Sequence, residues 1–316
     1  MEEKMRYSDA FGEKASKIFL GTAYFGDGIS QRDAFAIMDR FREKGGTHID
    51  TARLYANGKA EEIVGKWLYE TKASQMHVFT KGGYYDPDAG EESRVTPKAI
   101  ISDLEKSLEA LNMQSIEFYW LHRDDRVIEP GEVAELMNSL VKEGKIKKFG
   151  ASNWQSDRIK AVNDYAQKHS LMGFSASQLR FNPAHCLGER GGLVGMDKAE
   201  FEFYKDARMP VVAYSSQAKG FFSKMAEYGA GALSQKAKNR YLCEENLEKL
   251  EVMKALAQKY DCSVGAIVCS AMCSINYPDT FPVIGASRIS QIDDSMSGAD
   301  IVLTGEELKT IFKKIM

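Results

Sequence analysis

Cysteine is scarce and unpatterned in this chain of 316 residues. Cys186, Cys243, Cys262, Cys269 and Cys273 make an odd count without a disulfide-framework spacing, which reads as free thiols in a reducing compartment. Cys269 and Cys273 share one helix face and read as small buried hydrophobes rather than half a metal site. An excess of one charge is also missing: 42 Lys and Arg oppose 45 Asp and Glu, for a net charge of −3. That balance excludes the strongly basic surface a nucleic acid calls for. No apolar run is long; the stretch around residues 264–275 falls well short of the about 20 residues that span a bilayer. The acidic start, Met1-Glu2-Glu3-Lys4, lacks the apolar core of a signal peptide, so a cytoplasmic location without a membrane partner is expected. There is no linker, no low-complexity segment, no strict short repeat and no Rossmann glycine fingerprint.

What is present is an alternation of short apolar runs with amphipathic helical patterns, the mark of βα units around a parallel sheet. Strands are predicted at 18–20, 48–50, 78–80, 116–121, 148–150, 174–178, 211–214 and 281–284. Helices are predicted over 31–44, 60–70, 97–111, 130–143, 155–168, 198–204, 245–260 and 264–274, with short ones near 290 and 306. Gly45-Gly46 stops the first helix, and Pro97 is a good first helical residue. Residues 83–96 form a long polar loop that reads as a solvated lid, and 215–243 form a Gly- and Lys-rich functional loop with some helix. Eight strand–helix units give the fold class: α/β, a (β/α)8 TIM barrel with outer helices, one domain over 1–316, active site at the C-terminal face.

In such a barrel, polar residues just past the strand ends face the active site. Asp50, Lys81 and His122 directly follow the second, third and fourth strands, and Tyr55 lies five residues beyond Asp50. Neighbouring strands are about 4.8 Å apart, so the four side chains can converge. Reduction of a carbonyl needs a hydride donor and an acid for the developing alkoxide. A tyrosine, with an ordinary pKa of about 10, is a suitable donor. An ammonium at about 4 Å is worth about 4 kcal/mol at an effective dielectric near 20. At about 1.4 kcal/mol per pKa unit, this predicts a Tyr55 phenol lowered by up to about three units, near operating pH. Asp50 is the counter-ion that keeps Lys81 charged, and His122 hydrogen-bonds the substrate oxygen and shares the proton. Taken singly, each residue has a plainer reading: a structural ion pair, a satisfied histidine, a packed loop tyrosine. Taken together, at one end of adjacent strands, they favour proton transfer. A rival reading is a metal-dependent hydrolase using His48-x-Asp50 and His122. Against it, His77, His169 and His185 do not fall at strand ends in ligand order, and no metal is expected.

Those segments, His48-Ile49-Asp50-Thr51-Ala52-Arg53-Leu54-Tyr55, Phe79-Thr80-Lys81-Gly82 and Tyr119-Trp120-Leu121-His122, resemble the aldo-keto reductase family over residues 17–295, with its tetrad of Asp, Tyr, Lys and His. Gly21-Thr22 is similar to the family's first-strand motif. Gly58 to Leu68, with Glu61, Glu62 and Gly65, resembles the stretch after the tyrosine, with Ala60 where a serine is usual. Gly150-Ala151-Ser152-Asn153-Trp154 and Phe181-Asn182-Pro183 extend the match. The resemblance implies an NADPH-dependent, reversible reduction of an aldehyde or ketone, with NADPH (NADP+) preferred over NADH. It implies that Ser152, Asn153 and Gln178 hydrogen-bond the nicotinamide carboxamide and that Tyr214 stacks on the ring. Ser215, Ser216, Gln217, Lys219 and Gly220 lie along the pyrophosphate on this view, with Ser216-Gln217 in place of the family's frequent Pro-Leu. Gly285, Ser287 and Arg288 hold the adenosine end, where an arginine fork suits a 2′-phosphate. Gln291 and Asp294 contact ribose and adenine, with Asp294-Ser295 in place of the commoner Glu-Asn. Tyr24, Phe25, Tyr84, Tyr85 and Trp154, placed on mouth loops, are candidates for an aromatic substrate wall around a small carbonyl or alcohol. The alternative within the family is an NADPH-binding redox-sensing or regulatory subunit with little turnover. Oligomeric state is left open.

Overall fold

Short β-branched and aromatic runs pair as strands because each can bury both faces, one against the barrel interior and one against the outer helices. In the computed structural model, which describes residues 6–12, 14–188 and 191–316, eight of these runs close into a barrel. In chain order the elements begin with a two-stranded antiparallel hairpin, β1 (Tyr7–Ser8) and β2 (Ala15–Ser16). The barrel then runs β3 (Phe19–Gly21), α1 (Gln31–Glu43), β4 (His48–Asp50), α2 (Lys59–Thr71), β5 (His77–Gly82), α3 (Pro97–Leu111), β6 (Ile116–Leu121) and α4 (Pro130–Lys142). It continues with β7 (Ile146–Ser152), α5 (Ser156–Lys168), β8 (Ser177–Arg180), α6 (Lys198–Asp206) and β9 (Val211–Tyr214). Helices α7 (Phe221–Tyr228), α8 (Gln235–Tyr241), α9 (Glu244–Lys259) and α10 (Val264–Cys273) follow, then β10 (Thr280–Ile284), α11 (Ile289–Ser297) and α12 (Gly305–Ile311). Strands β3 to β10 are all parallel to their neighbours, and β10 closes on β3 through Val283 opposite Phe19 and Ile284 opposite Leu20. This is the predicted (β/α)8 barrel. The Met1–Lys4 segment lies outside the described residues.

Local chemistry sets the element ends. Ser30, Thr96, Ser263 and Thr304 each accept a backbone N–H in the first turn of the helix that follows, satisfying donors the helix cannot. The hairpin of β1 and β2 was not legible as strand pattern, being two residues a side. It carries Phe11 into the N-terminal end of the barrel, with ring centroids 5.1 Å from Phe79 and Phe281 and 5.7 Å from Phe19 and Phe118. That plug fixes which end of the barrel stays open. Strand β8 starts at Ser177 rather than at 174, because Phe174 is taken by an aromatic contact with Trp154, 5.1 Å away, outside the sheet. Residues 215–243 carry α7 and α8. All five cysteines are free, with Cys269 and Cys273 buried. No helix among the described residues is long and apolar enough to cross a membrane.

Close approach of α2 to α3 depends on Gly65. A Cβ there would sit 2.5 Å from the Ala110 carbonyl oxygen and 2.7 Å from Leu111 Cα, both backbone atoms that cannot swing away. Gly65→Ala is therefore expected to destabilise the barrel by about 1–3 kcal/mol despite the better helix propensity of alanine. Urea unfolding midpoints check this; an unchanged or raised midpoint would show that the helices separate at no cost.

Candidate active site

The last residue of β4 is Asp50, and Lys81 lies near the end of β5, so both project at the C-terminal mouth, buried to 2% and 1% exposure. The Lys81 ammonium donates to Asp50 Oδ2 at 2.6 Å, to the Thr51 carbonyl at 2.7 Å and to the Tyr55 hydroxyl at 3.3 Å. The other Asp50 oxygen accepts from Gln178 Nε2 at 2.8 Å, so the carboxylate is fixed from two strands. His122, the first residue after β6, meets the Tyr55 ring edge-on with centroids 6.1 Å apart, and Tyr84 covers it at 5.1 Å. Phenol, ammonium, carboxylate and imidazole do converge.

Tyr55 is delivered by a strained turn: Ala56, Asn57 and Gly58 have φ of 49°, 55° and 94°. Two of these are non-glycine residues in the left-handed region, at a cost of about 1–2 kcal/mol each. The turn persists because Arg53 clamps it, donating from Nη2 to the Asn57 carbonyl and from Nη1 to Glu61 Oε2, each at 2.9 Å. Glu61 in turn accepts from Thr80 Oγ1 at 2.6 Å, tying the turn to β5. Gly58 is obligatory here, since a Cβ would overlap the Arg53 guanidinium. Burial pushes the Glu61 carboxyl above the usual range, against the pull of Thr80, Ser107 and Arg53. This clamp escaped the sequence reading, although Arg53 and Glu61 sit inside the quoted segments; nothing in their spacing shows that they meet.

The electrostatics correct one expectation. Burial raises the Tyr55 phenol, and this outweighs the lowering by the Lys81 charge, so the group titrates above its ordinary value rather than near neutrality. The Coulomb argument omitted the desolvation of the phenolate. For Lys81, burial alone lowers the ammonium, but the adjacent Asp50 carboxylate and Tyr55 more than reverse this and it stays protonated. His122 is pushed well below its usual value, first by burial and then by the charges of Lys81 and Arg123, so its imidazole is neutral at pH 7. It can therefore donate a hydrogen bond but does not bring a proton of its own charge state.

Around this cluster, Ser152 ends β7 with Asn153 directly after it, and Gln178 lies beside Ser152 on β8. Asn153 Oδ1 accepts from the Tyr214 hydroxyl at 2.7 Å, and its Nδ2 faces Ser152 Oγ at 3.2 Å. Gln178 has given its Nε2 to Asp50, which leaves its carbonyl oxygen as the acceptor for an amide. Tyr214, half-buried at the end of β9, is followed by a stretch in which Ser215, Ala218, Lys219 and Gly220 have φ of 53°, 48°, 57° and 73°. A right-handed residue followed by a left-handed one, as at Gln217 and Ala218, turns successive backbone N–H groups into an anion-binding concavity, here near the positive end of α7. Ser216 Oγ points inward to the Val283 carbonyl, and Gln217 Nε2 donates to Ser295 Oγ at 2.9 Å, so Ser216 offers only backbone. Gly285 has open space where a Cβ would stand, and Ser287 and Arg288 are exposed at the start of α11. Gln291 Oε1 holds the Ser287 N–H at 2.8 Å, while Asp294 is engaged by Ser263. An adenine contact by the Asp294 side chain would have to share that bond. Gly21 and Thr22 close the floor between β3 and Asp50, with the Thr22 N–H on the Asp50 carbonyl at 3.1 Å.

Two members of the expected aromatic wall belong to the core. Trp154, 0% exposed, donates its indole N–H to the Arg123 carbonyl at 3.0 Å, and Phe25, 1% exposed, packs inside the β3–α1 connection. Both are corrections with one physical cause: a large apolar ring on a loop next to an incompletely covered strand end is drawn inward. Tyr24 is exposed, Tyr84 covers His122, and Tyr85 is half-buried with its hydroxyl on the Asp124 carbonyl at 2.6 Å. His48, whose pairing with Asp50 suggested a metal, lies a layer below, stacked at 4.6 Å on Phe19 and 4.8 Å on His77. Among the described residues no cluster of three or more His, Cys, Asp or Glu is placed to hold a metal.

A family model described as the aldo/keto reductase family matches residues 17–315. Among curated relatives, an uncharacterized oxidoreductase YrpG of Bacillus subtilis is 29% identical, covering 96% of this chain and 94% of its own. A probable voltage-gated potassium channel subunit beta of Arabidopsis thaliana is 25% identical, covering 92% of this chain and 89% of its own. Among solved structures, an aldo-keto reductase from Klebsiella pneumoniae in complex with NADPH superposes with a TM-score of 0.73 at 22% identity, over 98% of this chain and 95% of that one.

Proposed function

Because the chain belongs to the aldo/keto reductase family, we propose that it is an NADPH-dependent oxidoreductase that reversibly reduces a small aldehyde or ketone to the alcohol. One observation carries this reading: the Lys81 ammonium sits between Asp50 and the Tyr55 hydroxyl, beside a neutral His122. The nicotinamide, when bound, supplies the hydride that reaches the carbonyl carbon. Everything else is the work of this chain. Tyr55 Oη gives its proton to the carbonyl oxygen as charge develops there, and the phenolate left behind is stabilised by Lys81. Asp50 keeps Lys81 charged in a site that excludes water. Neutral His122 donates a hydrogen bond to the same substrate oxygen and fixes its position.

The donor set fits the dinucleotide. The stretch 215–220, left-handed at Ser215, Ala218, Lys219 and Gly220, leads into the N-terminus of α7 and suits a pyrophosphate, and Arg288 at the start of α11 suits a 2′-phosphate. Ser152, Asn153 and Gln178 are grouped beside Tyr214, as a carboxamide and a stacked ring require. The NADPH-bound Klebsiella neighbour supports the same choice of cofactor. Arg288→Ala is accordingly expected to weaken NADPH by about ten- to a hundredfold, the worth of a charge-assisted pair. NADH should change little; equal losses for both cofactors, by fluorescence titration, would remove Arg288 from the phosphate.

The test of the reading is NADPH oxidation across aldehydes, ketones and sugars, together with titration of both cofactors. Turnover supports it; tight NADPH binding with no turnover of any member would replace it with a regulatory, cofactor-sensing subunit. That second reading is favoured by the potassium channel beta subunits among the relatives. On the first reading the chain is one barrel domain acting in the cytoplasm on a small molecule.

A further inference from the structure

Two arginines border the Tyr55–His122 site without an acidic partner among the described residues. Arg123 directly follows His122 and is 5% exposed; Arg180 ends β8, two residues past Gln178, and is 8% exposed. Neither forms an ion pair among the described residues. The Arg123 guanidinium donates to the Gly192 carbonyl, reaches the Tyr84 hydroxyl at 3.5 Å and lies 4.9 Å over the Tyr84 ring, which itself covers His122. Its Nε is enclosed with no acceptor. Arg180 is more exceptional: its side chain makes no hydrogen bond among the described residues, and its Nη1 is enclosed with no acceptor. Residues 192–195 run over both, with Gly195 beside the Arg180 guanidinium and backbone pairing between Arg180 and the 194–196 segment. The nearest carboxylate in sequence to Arg123, Asp124, is taken by Arg158 at 3.2 Å.

The two charges converge on the mouth. Register places Arg180 opposite Tyr214, whose hydroxyl bonds Asn153, whose Nδ2 in turn faces the His122 carbonyl at 3.4 Å. Arg123 and Arg180 both act on the Tyr214 hydroxyl, and Arg123 also acts on His122. A guanidinium has five donors and cannot shed its proton, and a buried charge without a partner is strongly disfavoured. An acceptor from outside the chain relieves that penalty.

On the reductase reading above, we propose that Arg123 and Arg180 form an anion subsite, and that the substrate is a carbonyl compound carrying a carboxylate or phosphate. The anion seats between the two guanidiniums while its carbonyl reaches Tyr55 and His122. Neutral carbonyl compounds lack the group that these donors need.

The test compares pairs differing in charge: the isosteric 4-formylbenzoate and 4-formylbenzamide for the carboxylate, and glyceraldehyde 3-phosphate with glyceraldehyde for the phosphate. The wild-type protein is expected to favour the anionic member of at least one pair by about tenfold or more in kcat/KM, the scale of a hydrogen bond to a charged group. Which pair responds identifies the anion. In Arg180→Met that ratio should fall towards one, and Arg180→Lys should retain part of it, because the charge remains without the fork. A wild-type ratio near or below one for both pairs overturns the inference, and that measurement needs no variant to fold. An unchanged ratio in a folded Arg180→Met also overturns it, including where NADPH affinity drops, which would assign Arg180 to the cofactor. If no carbonyl compound is turned over, the reductase reading fails separately. Calorimetric titration with benzoate and inorganic phosphate then decides: binding lost in Arg180→Met supports the subsite, and no wild-type binding overturns it.

Discussion

Tyr55→Phe is expected to cut carbonyl reduction by about 10²–10⁴-fold, the usual contribution of a positioned acid, with little change in NADPH affinity. The substitution removes one oxygen, the one 3.3 Å from Lys81. It leaves the ring against His122 and the clamped turn in place. The pH profile is a second readout of the same group. Because burial holds the phenol above its ordinary value, the protonated form needed for reduction is present throughout the neutral range. Reduction should therefore be flat there on the phenol's account and fall only as pH passes above about 10, the ordinary tyrosine value. Alcohol oxidation needs the phenolate and should rise with pH over the same span. His122 is pushed the other way, so its protonation is confined to acid below its ordinary range. A Tyr55→Phe variant with wild-type turnover, or a reduction limb near neutrality that vanishes in it, would contradict these assignments in turn.

The barrel and its polar mouth were readable because both rest on short-range pattern. Strand ends and the residues just beyond them are fixed by sequence position, and Asp50, Lys81 and His122 needed only the count of strands to be brought together. What depends on contacts between distant segments was not readable. Phe11 plugging the barrel comes from a turn with no strand pattern, and Arg53 meets Glu61 only because three left-handed residues reverse the chain between them. Trp154 and Phe25 were placed on the wall by loop position, whereas their side-chain direction is decided by what the neighbouring helices leave uncovered. The direction of the Tyr55 shift failed for a related reason: the distance to Lys81 was foreseeable, the depth of burial was not. The Arg180 guanidinium, without an acid among the described residues, is of this kind too, since no spacing rule tells where such a group will stand.

Asp50→Asn is expected to destabilise the protein by about 3–5 kcal/mol, because it strands a buried ammonium rather than removing a surface charge. Lys81 is 1% exposed, and in the variant its remaining acceptors, the Thr51 carbonyl, the Tyr55 hydroxyl and the new amide oxygen, are all uncharged. The sign with pH is distinctive. In the wild type the folded Lys81 titrates above its unfolded value, so its contribution is complete below the unfolded value and fades as pH rises through the folded one. Without Asp50 the leading influence, burial, is opposed by Tyr55 alone, and the folded value is expected to drop below the unfolded one. The penalty is then largest at low pH and shrinks as pH rises through the lowered value, so the gap between the two proteins narrows on the alkaline side. Asp50→Asn combined with Lys81→Met removes the stranded charge and should regain most of the lost stability while carbonyl reduction stays abolished. Urea unfolding of the three proteins at acid, neutral and alkaline pH measures all of this. If Asp50→Asn alone costs under about 1 kcal/mol, as for an exposed pair, Lys81 is solvated in solution. It would then not be poised to stabilise a phenolate on Tyr55.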